Sequence, residues 1–314
     1  MSEHDDFQKM SGPLRMLMEE IHGKLERQGL EAPPSERQGA CGRCGGRGYV
    51  VAREGAVAVA SLCGCDRRCR LCNGKGLTLQ TVDGYQFARA CECQTLPQRV
   101  AAFNAAQLPS RFAEKTFDDF YVHGDDPREL VTAKREMMHF ADTARPGHSR
   151  LGKGLLGKPG TGKTHLLSAA LARMTLGRGI SCRYIEISFL FADLKAAISD
   201  PRARATVDKI DALAEVDVLA IDELGKGRGS VFEEEVLDEL IGRRYNSGKL
   251  TLFATNYARE APDRPVSRDA KPELSSLSLR GRVGERVFSR LHEMVEFLDL
   301  PVATRDRRLP PTFG

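Results

Sequence analysis

Two kinds of hydrophobic spacing alternate along the second part of this chain. Short stretches rich in apolar residues at 151–156, 181–187, 216–221, 250–254 and 295–300 are separated by stretches in which apolar residues recur every three or four positions. Short apolar-rich stretches of this length suit strands of a covered sheet, and three-and-four spacing is that of a helix with one buried stripe. Five strands are therefore predicted, with helices over 127–144, from 165 onward, and over 189–199, 232–246 and 284–292. Strands that alternate with helices predict an α/β domain, a parallel sheet covered on both sides. Residues 94–112 read as a linker with some helix, and 257–277, polar with three prolines, as a mobile loop.

The first hundred residues have a different pattern. Leu14, Leu17, Met18, Ile21 and Leu25 share helical spacing, so 13–30 predicts a short amphipathic helix, stopped by Gly29 and by Pro33-Pro34. It either packs on its own domain or docks on a partner. An internal repeat follows. Cys41, Cys44, Cys63 and Cys65 form one C-x2-C-x18-C-x-C unit, and Cys69, Cys72, Cys91 and Cys93 form a second, with corresponding cysteines 28 residues apart. Each C-x2-C leads into a glycine-rich turn and then two short strand-like runs around a turn: Tyr49-Val50-Val51 and Val57-Ala58-Val59, then Leu77-Thr78-Leu79 and Tyr85-Gln86-Phe87. A hairpin brings its ends together, so each C-x2-C meets its own C-x-C. Four thiolates then suit a closed, structural Zn²⁺ site, and two zinc ions are expected.

Composition narrows this picture. The 314 residues suggest two domains, or one large domain with an appendage, and we divide them into 1–38 (helix and linker), 39–96 (two-repeat zinc domain) and 97–314 (the α/β domain). A net charge of +4 gives no global nucleic-acid footprint, so any basic surface is local. No run of 18 apolar residues predicts a membrane span. The acidic start, Met1 to Asp6, is not a signal peptide. A cytoplasmic protein is expected, with thiols reduced and available to metal; the ninth cysteine, Cys182, reads as ordinary core.

The candidate chemistry sits after the first core strand. Gly157-Lys158-Pro159-Gly160-Thr161-Gly162-Lys163-Thr164 fits G-x-x-x-x-G-K-[ST] between a strand and a helix. Glycines let backbone N–H groups close around a phosphate at a helix N-terminus. Lys163 would reach the β- and γ-phosphates of ATP, and the Thr164 hydroxyl would ligate Mg²⁺. About sixty residues on, a third apolar strand ends in Asp222-Glu223, the Walker B pattern: Asp222 for the Mg²⁺ shell, Glu223 to polarise the attacking water. Asn256, at the tip of the next apolar strand, would sense the γ-phosphate or position water.

These motifs, with Ile221-Asp222-Glu223-Leu224-Gly225, Ala254-Thr255-Asn256-Tyr257 and the residues from Gly284 to Leu291, resemble the DnaC-type helicase-loader branch of AAA+ ATPases over about residues 108–300. The resemblance implies an AAA+ core without a lid domain and hydrolysis completed by a neighbouring subunit. It assigns an arginine finger to Arg290, with Arg286 the second choice. It also implies a hexameric replicative helicase and single-stranded DNA as partners. Lys226, Arg228 and 191–204 are the candidate DNA contacts. The Bacillus-type loader DnaI likewise carries an N-terminal zinc domain, although two repeated units are not its pattern. The C-x2-C-x-G-x-G element resembles the cysteine-rich region of DnaJ-type chaperones, and that resemblance implies a second possible arrangement, with zinc ligands drawn from non-adjacent units. Two alternatives follow: an IstB-type transposition helper acting with a transposase on duplex DNA, and an ATP-switched clamp for unfolded protein.

Overall fold

The computed structural model describes residues 41–65, 71–72, 75–82, 85–124, 126–147, 151–198, 205–260 and 278–301. The amphipathic stretch 13–30, Cys69 and most of the proline-rich loop lie outside them.

Both cysteine units fold as the repeat predicts. Strands β1 (Tyr49–Glu54) and β2 (Val57–Leu62) pair antiparallel from Tyr49↔Leu62 to Glu54↔Val57. Strands β3 (Leu77–Val82) and β4 (Tyr85–Ala90) pair from Leu77↔Ala90 to Val82↔Tyr85. The repeat extends to individual hydrogen bonds. The Cys63 N–H donates to Gly48 O at 2.8 Å, and 28 residues on the Cys91 N–H donates to Gly76 O at 2.8 Å.

The two hairpins then diverge. Residues 94–112, read as a linker, form α1 (Leu96–Ala106), which turns Val100, Phe103 and Ala106 inward and ends at a left-handed Gln107. Asn104 on this helix binds the backbone of β2 as a strand partner would, accepting from Ala60 N at 2.7 Å and donating to Ala60 O at 3.0 Å. The Ala58 N–H donates to Leu108 O and the Ser110 N–H to Ala56 O. Ala58 and Ala60 are thereby buried in the same cluster as Phe103, Leu108, Leu167 and Leu171. The second hairpin has no such cover among the described residues: Leu77, Leu79, Tyr85 and Phe87 are all exposed.

The core is a five-stranded parallel sheet in the order β6-β7-β8-β5-β9, from β5 (Gly152–Leu156), β6 (Cys182–Glu186), β7 (Val218–Asp222), β8 (Leu250–Thr255) and β9 (Val295–Asp299). Each predicted strand is present. Alternation divides β7: Val218 and Ala220 join the cluster that includes α2 (Arg128–Thr143) and α3 (Lys163–Arg178), while Leu219 and Ile221 join the opposite one. That opposite face is built by α4 (Ile187–Ile198), α5 (Ala205–Glu215), α6 (Val231–Asn246), α7 (Leu279–Val283) and α8 (Glu285–Met294). Helices α5 and α7 had no clear signature in the sequence. A Cβ on Gly154 would lie 2.4 Å from the Phe253 ring, so the glycines of β5 let the neighbouring strand's large residues in. Cys182 is core, as expected. No described helix is long and apolar enough to cross a membrane.

Candidate nucleotide site and cysteine clusters

The phosphate loop runs from the end of β5 into α3. Gly160 and Gly162 take φ of 84° and 95°, the left-handed region that a side chain disfavours. A Cβ on Gly157 would lie 2.8 Å from Leu300 Cβ. The loop is therefore fixed by backbone shape. The Lys163 ammonium folds back over it and donates to Gly157 O and Lys158 O, both at 2.7 Å. Thr161 donates to Lys158 O at 3.0 Å and closes the loop around Pro159.

The two halves of the site meet at Asp222. Its carboxylate, 4% exposed, accepts from Thr164 Oγ1 at 2.7 Å and from the Tyr184 hydroxyl at 2.8 Å through Oδ2, and from the Glu223 N–H at 2.9 Å through Oδ1. Burial pushes this carboxyl up, against the lowering effect of those three donors. A buried carboxylate beside a threonine hydroxyl is an oxygen donor set that fits a hard divalent cation. Thr164 and Asp222 would hold Mg²⁺, whose charge stabilises phosphate oxygens. Tyr184, on β6, is a site residue without a motif to reveal it; only the register Glu186↔Asp222 brings that strand alongside.

Glu223 stands just past β7 at φ 54° and forms an ion pair with Lys226, which also reaches Glu186 Oε1 at 3.0 Å. These carboxylates raise the Lys226 ammonium above its ordinary range, Glu223 first. Asn256 follows β8, whose Thr255 carbonyl accepts from the Gly157 N–H, so the side chain is exposed at the strand tip beside the phosphate loop. At the entry to the domain, Phe120 stacks edge-on against His165 at 5.3 Å, and His165 Nε2 lies 2.7 Å from Thr116 O. The segment before α2 is thus tied to the first turn of the phosphate-loop helix.

Arg290 and Arg286 lie on α8, and both face Asp238 of α6: Arg290 Nη1 is 2.5 Å from Oδ1 and Arg286 Nη1 is 3.8 Å from Oδ2. A pairing with Glu293 or Glu296 would be the local expectation on this helix and strand. Those carboxylates serve Tyr245 and Lys153 instead.

The cysteines gather by unit. Cys41, Cys44, Cys63 and Cys65 bring four sulfur atoms within 4.8 Å of one another, and Cys72, Cys91 and Cys93 bring three. Sγ–Sγ separations of 4.0 Å for Cys41–Cys63, 3.8 Å for Cys44–Cys65 and 3.6 Å for Cys72–Cys93 are too long for disulfides. They match the ~3.8 Å edge of a tetrahedron with Zn–S bonds of about 2.3 Å. The Gly76 N–H donates to Cys72 Sγ at 3.2 Å. At the corresponding place in the first unit, the backbone N–H groups of Gly48 and Gly46 pull the Cys44 thiol down to about 6 despite the opposing effect of burial. The donors fit zinc, with local pairing in each unit and Cys69 outside the described residues.

A phosphate loop on a parallel sheet, with a threonine hydroxyl bonded to a Walker B aspartate, defines a P-loop ATPase of the AAA+ class. A family model described as IstB-like ATP binding protein matches residues 98–261, and the chain belongs to that family. It is similar to the uncharacterized protein YqaM of Bacillus subtilis, with 26% identity over 54% of this chain and 54% of that one. It is also similar to the replicative helicase loader DnaC of Escherichia coli K12, with 37% identity over 32% of this chain and 40% of that one. The chain thus spans about half the length of these curated relatives. A crystal structure of the DnaC helicase loader superposes with a TM-score of 0.50 and 26% identity, over 61% of this chain and 99% of that one.

Proposed function

We propose that this protein is an ATP-hydrolysing loader of a hexameric replicative DNA helicase. The observation that carries the reading is the likeness to the DnaC loader structure along 99% of that chain, with the Walker A and Walker B residues joined through Thr164 and Asp222. In the proposed reaction Lys163 leaves its loop carbonyls for the terminal phosphates. Thr164 and Asp222 hold the cation, Glu223 orients the attacking water and Asn256 contacts the γ-phosphate. Arg290 of a neighbouring subunit, with Arg286 as the substitute, neutralises charge on the transferred group, so hydrolysis requires self-association. The cysteine units each bind Zn²⁺, with Cys69 completing the second set. Residues 39–96 grip the helicase, while 97–314 assembles side by side along single-stranded DNA. A cytoplasmic location accompanies this role.

The test is a pull-down from native extract with ATP, using residues 1–100 and the full chain as separate baits. Recovery of the replicative helicase with both supports the loader. The match to the IstB-like model favours a second reading, a transposition helper on duplex DNA. Recovery of a transposase, or a duplex preference with filament growth on duplex, would move the role there.

A further inference from the structure

Among the described residues β6 is an edge strand, paired with β7. The register runs from Cys182↔Val218 to Glu186↔Asp222, so Tyr184 stands opposite Ala220, two positions before the Walker B aspartate. That diagonal is a distance an aromatic side chain spans. The edge strand is held in place beyond its own ladder. The Val218 N–H donates to Ser181 O at 3.1 Å, and Arg183 Nη1 donates to Ala105 O, near the end of α1, at 3.0 Å. Tyr184 itself packs against the cluster that contains Leu166 and Leu167 of α3. Its hydroxyl is thereby brought to Asp222 Oδ2 at 2.8 Å.

An ionised carboxylate offers about four acceptor positions, a pair on each oxygen. On Asp222 Oδ2 both are filled, by Thr164 Oγ1 at 2.7 Å and by the Tyr184 hydroxyl at 2.8 Å. On Oδ1 the Glu223 N–H fills one at 2.9 Å, which leaves one acceptor open. Thr164 spends its proton on Asp222 and keeps its oxygen lone pairs for a cation. A buried carboxylate engaged in this way cannot chelate a cation through both oxygens. It suits Mg²⁺, which keeps several waters and makes few contacts to each carboxylate. Ca²⁺ takes about six to eight oxygens and readily uses both of one carboxylate.

We propose that Tyr184 is a positioning residue that determines metal specificity: it closes the second acceptor of Asp222 Oδ2, and the nucleotide site thereby prefers Mg²⁺ to Ca²⁺. The inference rests on the reading of Thr164 and Asp222 as the pair that holds the cation. Neither the phosphate loop nor the Walker B strand supplies this hydroxyl; the register of the edge strand does.

Binding of a fluorescent ATP analogue to the full chain, titrated with Mg²⁺ and separately with Ca²⁺, tests this in wild type, Y184F and D222N. Phenylalanine keeps the ring and its packing and removes only the hydroxyl. In Y184F the ratio of the two metal midpoints is expected to move toward Ca²⁺ about tenfold, the size of one lost hydrogen bond to a charged group. A merely structural role would weaken both ions alike. A ratio that stays as in wild type, or moves toward Mg²⁺, therefore overturns the proposal, whatever happens to affinity overall. D222N separates this from the reading beneath it, because that variant should lose the gain in nucleotide affinity that metal brings. If it does so while the Y184F ratio is unchanged, only the role of Tyr184 is wrong. If D222N keeps the wild-type midpoints, the assignment of Asp222 falls and the role of Tyr184 with it.

Discussion

A lysine buried against its own loop carbonyls and a carboxylate held by a neighbouring ammonium are both poised for exchange of partners. Lys163 donates to Gly157 O and Lys158 O, acceptors that phosphate oxygens replace at little cost because a charge-assisted bond is traded for a stronger one. K163A should therefore weaken ATP binding by at least tenfold, measured by nucleotide titration. E223Q should bind ATP normally while turnover falls about 10²–10³-fold in a phosphate-release assay, as loss of a general base does. Residues of this kind were legible in the sequence because the phosphate loop's chemistry is local: eight consecutive positions carry it. Tyr184 and Asp238 were not, and Lys226 was read only as a DNA contact. The partners of Tyr184 and Asp238 are 38 and 52 residues away, and the register that joins them is set by the sheet and by helix packing.

At the scale of elements, packing decides what a repeated sequence does. The two cysteine units share spacing and hairpin register, yet only the first has Asn104 to bind its outer strand and Phe103 to cover it. Both hairpins could be foreseen from their alternation and cysteines; the docking of one could not, because it depends on a helix that the short apolar spacing of 96–106 signals only weakly. Zinc at the first cluster should accordingly stabilise the ATPase core. C44S should lower the core's melting midpoint by about 4–8 °C, the shift that ~2 kcal/mol gives a domain of this size. C93S should leave that midpoint within about 2 °C, and a chelator should reproduce the C44S effect. Helix α6 offers a second case. Ser230 and Glu233 form a reciprocal cap, and Glu233 also pairs with Lys195 at 2.9 Å. Burial alone would push the Glu233 carboxyl up, but Lys195 and the N–H groups of Arg228 and Ser230 outweigh it and hold the group below its ordinary range. A lowered carboxylate stabilises the fold above its unfolded pKa of about 4.3 and loses that contribution as the pH falls through the folded value. E233Q should thus cost about 1–2 kcal/mol in urea melts at neutral pH, with the difference from wild type shrinking as the pH falls below the unfolded value and through the folded one.

Across the whole molecule, what a single chain holds is only half of the proposed catalytic arrangement. The sheet places Walker A, Walker B and Asn256 at the tips of adjacent strands β5, β7 and β8. Arg290 instead lies on α8 against Asp238 of α6, a surface pairing of two partly exposed side chains, 32% and 35%. An exposed pair of this kind contributes only about 0–1 kcal/mol, so a neighbour's phosphates can take the guanidinium from Asp238. A head-to-tail contact would then make one shared site per interface. If so, two inactive variants complement each other. R290A keeps an intact Glu223 and E223Q keeps an intact Arg290. Mixed in equal amounts at a concentration that permits assembly, one orientation of neighbour in four joins both intact groups. Turnover should recover to about a quarter of the wild-type rate, and it should fall away on dilution faster than linearly. A mixture as inactive as its components would place Arg290 with Asp238 alone, as a structural pair. Recovery by R286A mixed with E223Q, but not by R290A with E223Q, would move the trans-acting role to Arg286.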